Sequence, residues 1–156
     1  MDEMKTVYQV QGKLSKDFVG QISYTVCLDE TYEELDIEFS FGPRTFAPKD
    51  ITPELEQELI DYCKKEYDLT FASREELEDA IYGQMKTEIH TMAMLNDEFI
   101  GCIHRQLTTR HMHFTSEAAT EGCIAQPFIE GVLKVTILAF SVLLDNTDYT
   151  LTVRVR

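Results

Sequence analysis

Apolar and polar residues alternate along much of this chain, and a period of two ties a sequence to half-buried β-strands. Ile22, Tyr24, Val26 and Leu28 alternate with Ser23, Thr25 and Cys27. Leu35, Ile37, Phe39 and Phe41 do the same against Asp36, Glu38 and Ser40. The stretch from Thr6 to Leu14 is a weaker strand, and Gly42-Pro43 ends the series. Together these predict a three-stranded antiparallel meander with one acidic outer face.

Two helices are expected next. Thr52 suits an N-cap, Pro53 the first helical position and Glu54 the positive end of the dipole. Leu55, Leu59, Ile60, Cys63 and Tyr67 make the stripe to be buried, and Glu54, Glu58, Asp61 and Lys65 the wet face. Ser73 and Glu76 form a capping box for a second helix with the stripe Leu77, Ala80, Ile81 and Met85.

From Thr87 the period of two returns in the segments 87–95, 98–107 and 110–114. An Ala-rich helical turn is expected at 116–121, followed by strands 131–144 and 149–155. A turn at Asp145–Asp148 would pair Leu144 with Tyr149. It would set Leu138, Phe140 and Val142 against Val155, Val153 and Leu151, apolar on both sides. A turn at Asn96-Asp97 pairs Leu95 with Glu98 and places Glu88 opposite Arg105. Met92, Met94, Phe99 and Ile103 then share a core face with Met112 and Phe114. The expected fold is a single α+β domain over residues 1–156. It has a curved antiparallel sheet of about seven or eight strands, two-layered or half-barrel, with two helices inserted after the third strand and packed on it.

A turn at Thr108-Thr109 would bring His104 opposite His113 and Gln106 opposite His111, with Cys102 on the same face. Cys102, His104, His111 and His113 are therefore candidate ligands for zinc, the one cofactor the residues suggest. The simpler alternative is a polar sheet face whose imidazoles bond to Gln106 and threonine hydroxyls, and a third is a pH-sensitive surface. Cys102 or Cys123 beside a histidine would be the nucleophile if the chain were an enzyme. Cys27, Cys63, Cys102 and Cys123 contain no C-x-x-C pair and read as reduced thiols. No nucleotide-binding, hydrolase-elbow or zinc-protease motif occurs, and the chain leans away from an enzyme.

Charge narrows the partners. Twenty-eight acidic against 14 basic side chains give a net charge of -14. Residues 1–98 hold 23 acidic and 9 basic groups, and residues 99–156 hold 5 of each, so the whole excess lies in the first two thirds. Such a chain is a poor direct partner for nucleic acid or an anionic membrane. The apolar stretch from Val132 to Leu144 falls short of the roughly 20 residues of a membrane span. The acidic start lacks a signal-peptide pattern, so a cytoplasmic protein is expected.

These features suit a non-enzymatic acidic protein that recognises a basic protein surface, as an inhibitor, an immunity-type protein or a nucleic-acid mimic. Asp29, Glu30, Glu33, Glu34, Asp36, Glu38, Glu54, Glu58 and Asp61 are the candidate contacts. The second reading is a binding protein for a small apolar ligand, held in a cavity between curved sheet and helices. The third is a metalloprotein or enzyme using the Cys102, His104, His111 and His113 face.

Overall fold

The structure, a computed structural model, describes residues 3–104 and 107–156. Its strands are β1 (Lys5–Leu14), β2 (Gly20–Tyr32), β3 (Leu35–Gly42), β4 (Glu88–Leu95), β5 (Glu98–Ile103), β6 (Thr109–Phe114), β7 (Ile129–Ser141) and β8 (Thr147–Val155). Between β3 and β4 lie α1 (Pro53–Tyr67) and α2 (Arg74–Glu78), which widens into a π-helical turn at Asp79–Gln84. Two antiparallel four-stranded sheets result, in the orders β1-β8-β3-β6 and β2-β7-β4-β5. Apart from the β4–β5 hairpin, each strand is followed by one in the other sheet, which is jelly-roll connectivity.

One hydrophobic cluster fills both inner faces. The first sheet contributes Leu35, Ile37, Phe39, Met112, Phe114, Leu151 and Val153, and the second Val26, Ala93, Ile100, Leu133, Val135 and Ile137. Tyr24 of β2 and Tyr149 of β8 join the sheets through their hydroxyls, 2.5 Å apart. The Tyr149 ring lies on Gly12 of β1, where a Cβ would collide with it.

The crossing topology corrects three predicted pairings. β1, β2 and β3 do not form a meander: β1 pairs with β8, β2 with β7, and β3 with β6 and β8. The apolar strands β7 and β8 are in different sheets, so the hairpin joining Leu144 to Tyr149 does not form. Tyr149, Leu151, Val153 and Val155 are buried as expected, but β7 buries Leu133, Val135, Ile137 and Ala139 and leaves Phe140 53% exposed. Two apolar stripes satisfy each other across a core as well as side by side, and hydropathy cannot separate the two arrangements.

The Asn96-Asp97 turn does pair Leu95 with Glu98. A register shift between Ala93 and Met94 then sets Met94 opposite Phe99 and Met92 opposite Cys102. Ile89, Thr91, Ala93 and Leu95 are the buried residues of β4, while Met92 and Met94 are half-buried and Phe99 is 48% exposed. Of the face predicted for the core, Ile103, Met112 and Phe114 are buried as expected, whereas Met92, Met94 and Phe99 point outward. Glu88 pairs with Ser141 of β7, and its expected partner Arg105 lies outside the described residues, as does Gln106.

Both N-caps form as predicted: Thr52 Oγ1 accepts from the Leu55 amide at 3.1 Å and Ser73 Oγ from the Glu76 amide at 3.2 Å. The Glu76 carboxylate of the expected capping box accepts instead from the Ala72 amide at 2.8 Å. Residues 116–121 do not make a helical turn, because the Thr115 hydroxyl captures the Ala118 amide at 3.0 Å and holds a tight turn. The helical segment keeps its own small core of Phe46, Leu77 and Ile81, joined by Leu55, Leu59, Leu143 and Leu144. Cys63 is buried in its stripe, but Tyr67 is 68% exposed. Among the described residues no helix is long and apolar enough to cross a membrane.

Candidate functional site

The alternation that buries Ile37 and Phe39 turns Asp36 and Glu38 to the outer face of the first sheet. There Asp36 pairs with His113 and Glu38 with His111 on β6, while β8 sets Arg154 beside Asp36. His111 Nδ1 lies 3.1 Å from Asp36 Oδ2, and its Nε2 lies 3.2 Å from Glu38 Oε2. His113 Nδ1 is 3.5 Å from Asp36 Oδ1. Arg154 NH1 reaches Asp36 at 3.5 Å and Glu38 at 3.4 Å. Four of these five groups come from the candidate lists, yet they form a charge network rather than the expected cluster.

The zinc candidates are divided between the sheets. His111 and His113 face carboxylates on the first sheet, whereas Cys102 and His104 belong to the β5 end of the second. The His104 ring lies 5.7 Å from that of His90 on β4. No turn joins β5 to β6 within one sheet, so His104 and His113 never become opposite neighbours. Arg154 already supplies a cation among the carboxylates. Among the described residues no group of three His, Cys, Asp or Glu side chains is arranged to hold a metal ion. Burial pushes the Cys102 thiol up and the Cys123 thiol up to about 11, which suits inert packing rather than nucleophilic chemistry.

The candidate acidic contacts separate as well. Glu34 is bound by Arg156 at 2.5 Å, and the Asp36 side chain is only 10% exposed beneath its basic partners. Asp29 accepts from the Tyr32 hydroxyl, which holds its carboxyl below the usual range, with Lys5 3.7 Å away. Asp29 and Glu30 border a shallow depression of about 500 Å³ with Glu130 and Asn96. Glu33 lies at the turn into β3, and Glu54, Glu58 and Asp61 are exposed on α1. Charge on β3 is thus offset within the sheet, and charge on α1 faces outward.

Beside α1 lies an open groove of about 1020 Å³ between this helix, the β1–β2 loop and the end of β7. Its floor includes buried Phe46, Cys63, Ala80 and Val142, and its walls carry Val19, Tyr62, Tyr67, Leu69 and Phe140, between 45% and 70% exposed. Tyr62 and Tyr67 meet edge to face at 5.9 Å, and the Tyr67 hydroxyl holds the Tyr62 phenol above its ordinary range. Lys16, Asp17, Glu58, Lys86 and Glu88 ring the groove. None of these apolar wall residues is a candidate contact by sequence. Tyr67, at the C-terminal end of the stripe expected to be buried on α1, was the available signal.

A further residue escapes the pattern altogether. Arg110 shares the inward parity of Met112 and Phe114, is 5% exposed, and stacks 5.3 Å over the Phe39 ring and 5.8 Å from that of Phe41. Its NH2 reaches Thr91 Oγ1 of the facing sheet at 3.4 Å. Burial pushes its guanidinium down to about 10, with Arg44 adding to the effect.

Residues 4–156 match a family described as a Family of unknown function (DUF6669), and the chain belongs to that family. Neither a curated protein nor a solved structure matches it.

Proposed function

We propose that this member of DUF6669 is a non-enzymatic binding protein whose groove receives the apolar face of a basic amphipathic segment from a partner protein. One observation carries the reading: Val19, Tyr62, Tyr67, Leu69 and Phe140, all exposed, line a single groove of about 1020 Å³. Clustered exposure of this kind is what a partner covers, whereas singly scattered apolar residues need no explanation. An open groove beside a helix suits the apolar stripe of a second helix.

Charge selects the sign of the partner. Glu54, Glu58 and Asp61 project from the helix that forms one wall, and Glu58 itself lines the groove. Basic residues flanking the apolar stripe of a ligand pair with them and are steered by the net charge of -14. A purely apolar small molecule uses the same floor but gives these carboxylates no counterpart.

Fluorescence anisotropy with a labelled helical Leu–Lys peptide tests the proposal. Saturable binding that weakens with added salt is expected, and Tyr62→Ser should weaken it by about tenfold, or ~1.4 kcal/mol. A Leu–Glu peptide of the same pattern binding equally well overturns the charge argument. Unchanged Leu–Lys affinity in Tyr62→Ser overturns the groove.

A further inference from the structure

The two sheets bury similar inner faces but present opposite outer ones. The first sheet exposes the network of Asp36, Glu38, His111, His113 and Arg154. The second sheet turns out Met92, Met94, Phe99, Val132, Leu138 and Phe140, by the registers that pair Met94 with Phe99 and Met92 with Thr136. Phe99, Val132 and Phe140 are 48%, 44% and 53% exposed. From the β7 row of Val132 to that of Phe140, no described outward residue of this sheet is Asp or Glu, although the chain has 28 of them. Lys134 is the one Lys or Arg there. Glu88 pairs with Ser141 past the Phe140 row and sits 3.0 Å from His90 Nε2.

We infer that this face of the second sheet is the contact surface between two copies of the chain. A basic partner finds no carboxylate here to pair with. A partner as acidic as this chain can approach only through a surface from which its own acids are excluded, and the same face of a second copy meets that condition. A twofold contact of this kind is self-complementary. The centre of the face also asks for no water, because Ser23 Oγ and the buried Thr136 Oγ1 satisfy each other at 2.9 Å. Four strands at about 4.8 Å spacing and nine residues at about 3.3 Å give roughly 570 Å² of face per copy. Doubling gives about 1,100 Å², just above the lower limit of a specific interface. Outside the contact the two copies repel, so salt should favour the pair by screening their like charges.

Sedimentation equilibrium over a concentration series, at low and high salt, tests the inference. The mass is expected to double with concentration, and the transition to move to lower concentration as salt rises. Met94→Asp and Phe99→Asp, both on the outer face, should each hold the protein at monomer mass with an unchanged circular dichroism spectrum and melting temperature. A monomer at every concentration and salt overturns the inference. So does a dimer that persists in both variants or that salt dissociates, or a monomeric wild type that captures a different protein through Phe99. Tyr62→Ser, which disables the groove, should leave the dimer mass unaltered, so the two proposals fail separately.

Discussion

Removing either hydroxyl of the Tyr24–Tyr149 pair should have unequal costs, because the two phenols differ in burial. Tyr149 is 6% exposed, whereas Tyr24 is half-buried, and their hydroxyls lie 2.5 Å apart across the two sheets. Tyr24→Phe leaves the Tyr149 hydroxyl without that partner where water reaches poorly, a cost of about 1–2 kcal/mol. Tyr149→Phe leaves Tyr24 able to turn toward solvent, at about 0.5–1 kcal/mol. The double variant Tyr24→Phe/Tyr149→Phe should cost less than Tyr24→Phe alone, since no orphaned hydroxyl remains. For a chain of this size each kcal/mol moves the melting temperature by about 2–4 °C, so Tyr24→Phe should melt roughly 2–8 °C lower.

The same pair makes a pH prediction. Burial first, and then the Tyr149 hydroxyl, push the Tyr24 phenol from its ordinary 10 up to about 12. The folded state therefore holds this proton more tightly than the unfolded chain. Its stabilisation is complete below pH 10 and is lost as pH rises through about 12. Screening at this half-buried site limits the loss to about 1 kcal/mol. Urea denaturation from neutral pH into that window should show a shallower alkaline loss for Tyr24→Phe than for the wild type. Equal alkaline slopes, or a double variant as unstable as the sum of the singles, would refute the reasoning.

Gly131 sits at φ 91°, and a Cβ there would strike the Asn96 side chain that bonds the Val132 amide at 2.8 Å and the Glu130 carbonyl at 2.9 Å. Gly131→Ala should cost roughly 1–3 kcal/mol from the backbone conformation alone, read as a lowered urea midpoint, and an unchanged midpoint would contradict it. Asp36→Asn removes the carboxylate that His111, His113 and Arg154 share. Because those partners are between 32% and 49% exposed, the expected loss is about 1–2 kcal/mol at neutral pH, and a calorimetric melt as high as wild type would sink it.

Local chemistry was legible without the fold. Thr52 and Ser73 cap their helices, Asn96-Asp97 turns a hairpin, and alternation assigns the buried residues of β3 and β8. Each depends on residues a few positions apart. Alternation failed on β4 and β7, and in one direction. Hydropathy preferred Met92 and Met94 over Thr91 and Ala93, and Leu138 and Phe140 over Ile137 and Ala139, so it chose the outer face. Those outer residues belong to the two surfaces argued to bind, where apolar groups gather for reasons other than the core.

The candidate site depended on pairings distant in the chain. His111 and His113 meet Asp36 and Glu38 from roughly 75 positions away, which no turn rule foresees. The groove arises where α1, the β1–β2 loop and the end of β7 converge. By itself, the sequence determined an antiparallel α+β chain, its helix caps and a -14 charge confined to residues 1–98. Only tertiary structure decided which strands share a sheet, which face of β4 and β7 is inside and which carboxylates are offset. The reason is geometric: a period of two specifies that a strand has an apolar face, and only the packed partner specifies what that face meets.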